Sequence, residues 1–255
     1  MRPLAALVFA LLLQGCASLV PPPQTAPPAA EAGAAWSRVL DRFVDAQGRV
    51  DFARLARERA DLDRYVAWVY ANGPRNRADL FLDRARVLAF HINAYNALAM
   101  YSVLAADVPR SLAEYGLLHF FWVRKVAIGG EAMSLYRYEN AVIRRLGEER
   151  AHFALNCMAA ACPRLPRSPF RAETLEADLE REARAFFAEA RNVEVDHARR
   201  VVRLSEILDF YRDEFLAKAP TLLAYVNRHR VQPVPQDYRV EFIPYDWSVA
   251  ARPPG

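Results

Sequence analysis

Lysine is nearly missing from this 255-residue chain: Lys125 and Lys218 are the only two, so almost all of its positive charge is arginine. The coding bias of a GC-rich genome accounts for that as well as phosphate or lipid binding does. An excess of either charge is also missing. The 34 basic and 30 acidic side chains give +4, and setting aside an N-terminal segment that carries only Arg2 leaves 33 against 30, or +3. That is not a nucleic-acid balance. Cysteine is limited to Cys16, Cys157 and Cys162. The apolar run at the N-terminus, Leu4 to Leu13, is far short of the ~20 residues that a bilayer-spanning helix needs and fits the core of a signal peptide. From Trp36 onward there is no internal repeat and no long low-complexity segment, and the length suits one larger domain with one core.

The apolar run ends in LQGC, Leu13 to Cys16. This resembles the bacterial lipobox, in which Gly15 leaves room for the peptidase and the Cys16 thiol is acylated with palmitate-like chains before cleavage. An ordinary signal peptide cut by the general peptidase and a buried apolar N-terminus are the plainer alternatives. Ala17 follows in place of aspartate, which by the enterobacterial rule points to the outer membrane. Leu19 to Ala35 is mostly Ala and Pro, poor in large apolar residues and biased toward extended chain. The expected organisation is therefore a signal peptide over 1–15, a tether over 16–35, a domain over 36–249 and a disordered tail over 250–255. The expected partner is a membrane, reached through the N-terminal lipid and facing the periplasm of the cell envelope.

Hydrophobic spacing predicts mostly helices. Trp36, Val39, Leu40, Phe43 and Val44 lie on one face, and DAQG (45–48) then turns the chain. A second helix is predicted from Phe52 to Ala71, ended by Asn72-Gly73-Pro74. The stretch from Leu80 to Leu104, with AFHINAYNALAMY inside it, is too apolar all round for a surface helix and reads as the buried central one. Asn93 and Asn96 within it need partners, since an unpaired buried amide is costly, and a buried polar network is the expected role. SLAE (111–114) has capping-box spacing. Residues 120–135, with IGGE between, read as a hairpin, and Ser134 can cap the helix that follows. Leu175 to Ala190 is an amphipathic helix, VEVD and RVVRLS pair around His197, two helices follow over 207–216 and 222–228, and YRVEFIPYDW is a last strand. The fold class is α+β, a predominantly helical single domain with short antiparallel strands in its second half.

FHINAYNALA, IGGEAMSLYRYENAVIRRL, HFALNC with ACPRL, the closing IPYDWSV and the early DAQGRVDFARL resemble, in order, the signature blocks of the family called domain of unknown function 547. The resemblance covers Trp36 to Val249 and implies no particular reaction. Three positions depart from the family pattern: His91 stands where tryptophan is usual, Ala159 where a small or hydroxyl residue is common, and Asn140 where a histidine often follows the glutamate. If the family uses that histidine as acid or base, this chain retains only Glu139.

The stretch HFALNCMAAACPRLP, His152 to Pro166, admits several chemistries. A disulfide between Cys157 and Cys162 suits an oxidising compartment but requires the four residues between them to fold back, because a continuous helix or strand holds the Cα atoms too far apart. Alternatively, a strand over 152–156 running into a helical turn over 158–161 puts Cys157 at a helix N-terminus, where a thiolate is stabilised and can act as a nucleophile. His152 is a candidate catalytic partner, although five-residue spacing turns it away from Cys157. His91, His119 and Glu139 are other candidate bases, and Asp246 could orient a histidine, pair with an arginine or cap a strand end. His-x4-Cys-x4-Cys matches no usual zinc pattern, so no metal is expected and no cofactor is implied. Plain packing of Cys157 is the remaining alternative. Arg144, Arg145 and Arg150 could receive an anion or form a solvated face, and His197 and His229 are expected to be solvated. Three classes remain open: a thiol hydrolase or acyltransferase, an envelope binding or scaffold module, and a structural lipoprotein.

Overall fold

The computed structural model describes residues 20 and 25–253; the expected signal peptide and Cys16 lie outside them. In chain order the elements are α1 (Ala29–Phe43), α2 (Phe52–Arg57), α3 (Ala60–Ala71), α4 (Arg84–Ala105), α5 (Leu112–Tyr115), β1 (Lys125–Ile128), β2 (Glu131–Ser134), α6 (Leu135–Tyr138), α7 (Leu175–Ala188), β3 (Val193–Asp196), β4 (Val201–Ser205), α8 (Ile207–Phe210), α9 (Arg212–Leu216), α10 (Leu222–His229) and β5 (Arg239–Ile243). The fold is α+β and mostly helical, as the periodicity predicts. The strands form a hairpin of β1 and β2 and a separate sheet in the order β3-β4-β5.

The central helix is α4. Asp83 caps its start by accepting the Arg86 N–H at 2.8 Å, and an unbroken run from Leu88 to Val103 is buried. By length and composition α4 could cross a membrane, yet 89% of its apolar window is inside the protein, which makes it the core helix. Around it pack α1, α3 and β1, with Trp36 stacked on Tyr65 at 5.2 Å. Arg38 and Asp61 lock α1 to α3 with a two-pronged ion pair, at 2.9 and 2.7 Å. A second cluster joins α7, β4, α9 and α10 around Phe153, Phe187 and Phe215.

Several local features differ from the sequence reading. The first arm of the expected 120–135 hairpin starts only at Lys125, because His119–Val123 winds into a π-helical turn. α1 begins at Ala29, and Ala32 and Ala35 are buried, so the folded domain takes in the last part of the Ala/Pro segment. The predicted 52–71 helix breaks at Glu58–Arg59 into α2 and α3. β5 pairs parallel to β4, with Val202 opposite Val240 and Leu204 opposite Phe242, because the chain returns over α8–α10 before entering the sheet. The expected tail is not free as far as Arg252, since Val50 donates to the Ala250 carbonyl at 2.9 Å and accepts from the Arg252 N–H at 2.8 Å.

Candidate functional site

The loop bearing the two thiols is built from the central helix outward. Asn96 on α4 accepts the Asn156 N–H at 2.7 Å and donates to the Ala154 carbonyl at 2.9 Å. Asn156 closes the loop in turn, accepting from the Met158 N–H and donating to the Pro163 carbonyl, both at 2.7 Å. Asn93 holds Trp36 Nε1 and the Phe170 main chain through 3.1, 3.1 and 2.8 Å bonds. Asn93 and Asn96 therefore bond main chain 58 to 77 residues away in sequence, which offsets the cost of burying them.

No strand-to-helix junction forms here. His152 and Phe153 end a 3₁₀ turn over Glu149–Phe153, and Cys157 lies in irregular chain. Met158 takes a left-handed conformation, φ 73°, rare for a side chain of this kind. A turn then closes from the Cys162 N–H to the Ala159 carbonyl at 3.1 Å. Cys157 consequently lacks the helix N-terminus expected for it. The left-handed Met158 and the turn supply the fold-back instead, and the two sulfurs lie 3.1 Å apart as free thiols.

The C-terminal segment pins the loop from the other side. Ala160 donates to the Ser248 carbonyl at 2.7 Å, Ala161 to the Asp246 carbonyl at 3.1 Å, and the Met158 carbonyl accepts from Ala250 at 2.9 Å. Leaving β5, the chain delivers the Tyr245 hydroxyl to within 3.2 Å of Cys162 Sγ and 3.7 Å of Cys157 Sγ. The Cys157 N–H adds a donor to Cys162 Sγ at 3.2 Å. Burial opposes ionisation of Cys162, but these donors outweigh it and hold its pKa below the ordinary thiol value. Cys157, which donates its own proton to Cys162 and is buried, is held well above that value. Of the two thiols, Cys162 is thus the one whose surroundings favour the charged form.

Both thiols line a cavity of about 350 Å³. Its walls carry Tyr95, Phe121, Trp122, Tyr136, Tyr211 and Tyr245. Glu139 also lines it and accepts from the Tyr95 hydroxyl at 3.0 Å and from the Tyr211 hydroxyl. Tyr211 stacks on His152 with ring centres 3.7 Å apart. His152 Nε2 lies 3.0 Å from Glu214 Oε2, and Arg144 pairs with the same carboxylate. Burial would raise the pKa of Glu214, yet His152 and Arg144 together hold it below the usual range. Asn140 bonds Arg144 and donates to the Tyr136 carbonyl at 2.9 Å. Two π-helical turns, His119–Val123 and Glu139–Ile143, carry Trp122 and Glu139, and such turns recur at functional sites.

Of the candidates read from sequence, Cys157, Cys162, His152 and Glu139 meet at this cavity. Asp246 does not line it; its side chain is exposed and caps the Ser248 N–H at 2.9 Å. Among the described residues no histidine or carboxylate is bonded to either sulfur. His91 is buried against the Tyr138 hydroxyl at 2.8 Å, and burial lowers its pKa to about 4. His229, expected in solvent, is 8% exposed and stacks on Phe187, and burial lowers its pKa also. His197 bonds the Tyr238 hydroxyl at 2.8 Å. Sequence reasoning missed Tyr211, Glu214 and Tyr245 as members of the site. IPYDW marked the last of these, but nothing local pairs it with a cysteine 88 residues earlier.

The fold and the site define an α+β domain with a thiol-lined aromatic cavity. The model of the family described as "Protein of unknown function, DUF547" matches residues 80–187, which supports the resemblance carried by the motifs. The matched segment includes α4, Glu139 and both thiols and stops short of Tyr211, Glu214 and Tyr245. No curated protein and no solved structure matches the chain.

Proposed function

We propose that this is a lipid-anchored, periplasm-facing envelope protein whose domain is a thiol-dependent acyltransferase, and a hydrolase where water is the acceptor. The observation that carries this reading is the pair of thiols 3.1 Å apart in an aromatic cavity, with three donors converging on Cys162. Cys157 is the nucleophile and Cys162 the base. As Cys157 Sγ attacks an acyl carbonyl, its proton passes to the Cys162 thiolate. Cys162 then returns that proton to the departing group, which leaves an acyl-Cys157 thioester and a regenerated thiolate. Water or another acceptor loses its proton to Cys162 and attacks the thioester, and Cys157 departs and recovers the proton. Glu139, through Tyr95 and Tyr211, and His152, through Glu214, are positioning residues that hold the cavity wall. The main chain of Asp246 holds the thiol loop.

The test is acyl transfer from p-nitrophenyl esters by reduced protein. A stoichiometric acyl adduct on Cys157 is expected. It should be lost in Cys157→Ser and form about 100-fold more slowly in Cys162→Ala, the scale of general-base assistance. Acyl turnover that survives Cys157→Ala would reject the reading. The same separation favours a second reading, in which a disulfide-bearing oxidoreductase closes the pair. The two thiols would give up two protons and two electrons, the partner's disulfide would leave as two thiols, and the cavity would then bind without catalysing. Protein isolated without reductant and inactive until reduced would favour this second reading.

A further inference from the structure

The cavity opens through an apolar rim. Trp122 is 45% exposed, Tyr136 42% and Phe210 48%, and all three line the cavity. Trp122 and Tyr136 stack with ring centres 4.5 Å apart. Leu118, at 73%, lies one helical turn before Trp122, and Val123, at 42%, follows it. Large apolar side chains left in water at one place on a domain mark an interaction surface, and Trp with Tyr suits the boundary between headgroups and acyl chains.

The anchor end of the chain leads to the same edge. Val20 is buried, its N–H donates to the Lys125 carbonyl at 2.8 Å, and its carbonyl accepts from the Tyr70 hydroxyl at 2.6 Å. Lys125 opens β1 just two residues beyond Val123 of the rim, a separation of at most about 7 Å. Cys16 precedes Val20 by four residues, so even a fully extended chain holds the two within about 14 Å. Val20 thus shortens the tether from the twenty residues expected over 16–35 to four, and a lipid on Cys16 brings this edge of the domain close to the membrane.

We propose that the rim formed by Leu118, Trp122, Val123, Tyr136 and Phe210 docks on the phospholipid surface that holds the anchor, so that the thiol cavity opens toward the membrane interface. The occupant is the bilayer itself, chosen over a second copy or an apolar protein because the four-residue reach from Cys16 to Val20 ends beside this rim. This inference rests on lipidation of Cys16 and not on the acyltransfer chemistry.

The test uses the mature lipidated protein in vesicles of phosphatidylethanolamine and phosphatidylglycerol, with a fraction of the lipid brominated on its acyl chains. Trp122 should be quenched, and most of the quenching should disappear in Trp122→Phe, because Trp36 is buried and Trp68 and Trp247 pack partly buried against the core, which leaves Trp122 the most exposed of the four tryptophans. The double variant Leu118→Ser with Val123→Ser should reduce quenching of Trp122 while thermal melting in detergent stays unchanged, since both side chains are exposed. Lengthening the chain between Cys16 and Val20 with a flexible Gly/Ser insert should weaken quenching as well. Three results would overturn the proposal: Trp122 as open to acrylamide in vesicles as in the unlipidated Cys16→Ser protein in lipid-free buffer, protection of Trp122 that depends on protein concentration without lipid (a second copy), or protection that requires an added envelope protein. An intact mass without acyl groups would refute the anchor and the docking together. Esterase activity measured in the same samples keeps that outcome separate from failure of the thiol chemistry.

Discussion

Cys162 collects three hydrogen-bond donors at its sulfur, while His91 collects a tyrosine hydroxyl and almost no water. Each group has its proton affinity set by surroundings that no local sequence pattern announces. For His91 the sign follows from burial. The folded protein holds the imidazole neutral down to about pH 4, whereas the unfolded chain takes up a proton near 6.5. Between those values the unfolded state binds more protons, so stability falls as pH falls through that window and is unaffected above it. The loss totals about 3 kcal/mol at full extent. Urea unfolding across pH should show this slope, and His91→Phe should remove most of it at the cost of the bond to Tyr138. An unchanged slope in the variant would place the acid sensitivity elsewhere. Cysteine spacing did announce the candidate thiols. It could not say which would hold the charge, because the deciding donors are Tyr245 and a main-chain N–H.

The elements were the most legible scale. Uniform hydrophobicity identified α4 as buried, and Gly129-Gly130 marked the turn between β1 and β2. The 152–161 segment misled because its helix-forming residues, MetAlaAlaAla, are held by tertiary bonds into a left-handed residue and a turn. Those bonds come from Asn96, Asn156 and the 246–250 strand-like segment. Asn96→Ala removes two of them and leaves the buried Asn156 N–H and Ala154 carbonyl without that partner. It should cost about 2–6 kcal/mol in denaturant unfolding, since each of the two stranded groups costs roughly 1–3. It should also slow thiol alkylation at neutral pH, because the Cys157 N–H would no longer be fixed on Cys162. A loss below about 0.5 kcal/mol would mean that water substitutes for the amide. Gly48 shows the same long-range dependence in the early DAQG turn. It sits at φ 78°, and a Cβ there would come within 2.6 Å of Leu165 N. DAQG was legible as a turn, but its packing against the PRL segment was not. Gly48→Ala should therefore destabilise by more than the ~1–2 kcal/mol of a left-handed alanine alone, measurable by the same unfolding assay.

At the scale of the whole molecule, the thiol loop lies where the two apolar clusters meet. Phe153 belongs to the cluster of α7 and α10, and Leu155 and Cys157 belong to that of α4. This explains why the site draws on residues from Tyr95 to Trp247 and why the family match alone leaves it incomplete. Class and helix order could be read from periodicity, and the parallel pairing of β5 could not, since strand direction depends on where α8–α10 return the chain. The proposed anchor makes a prediction at this scale. Cys16→Ser should move the protein from the membrane fraction to the soluble periplasm or leave it unprocessed, and wild-type protein found soluble with no acyl mass would contradict it. A single acyl chain gives only reversible attachment, so stable retention also predicts at least two chains on Cys16.

In the proposed acyl transfer Cys157 and Cys162 share one proton, and the charge on Cys162 enables attack by Cys157. Alkylation of the reduced, folded protein with iodoacetamide across a pH series tests it most directly. Cleavage after Arg150 and Arg164 releases both thiols in one peptide, whose fragmentation assigns the label. One label per chain is expected, on Cys157, with an apparent pKa below the ordinary thiol value of 9.0 set by Cys162 as its proton acceptor. In Cys162→Ala, labelling of Cys157 should shift to a pKa above that value, because burial remains and its proton acceptor is gone. Labelling of Cys157 that is unchanged by Cys162→Ala, or two thiols that react only after denaturation, would contradict the account.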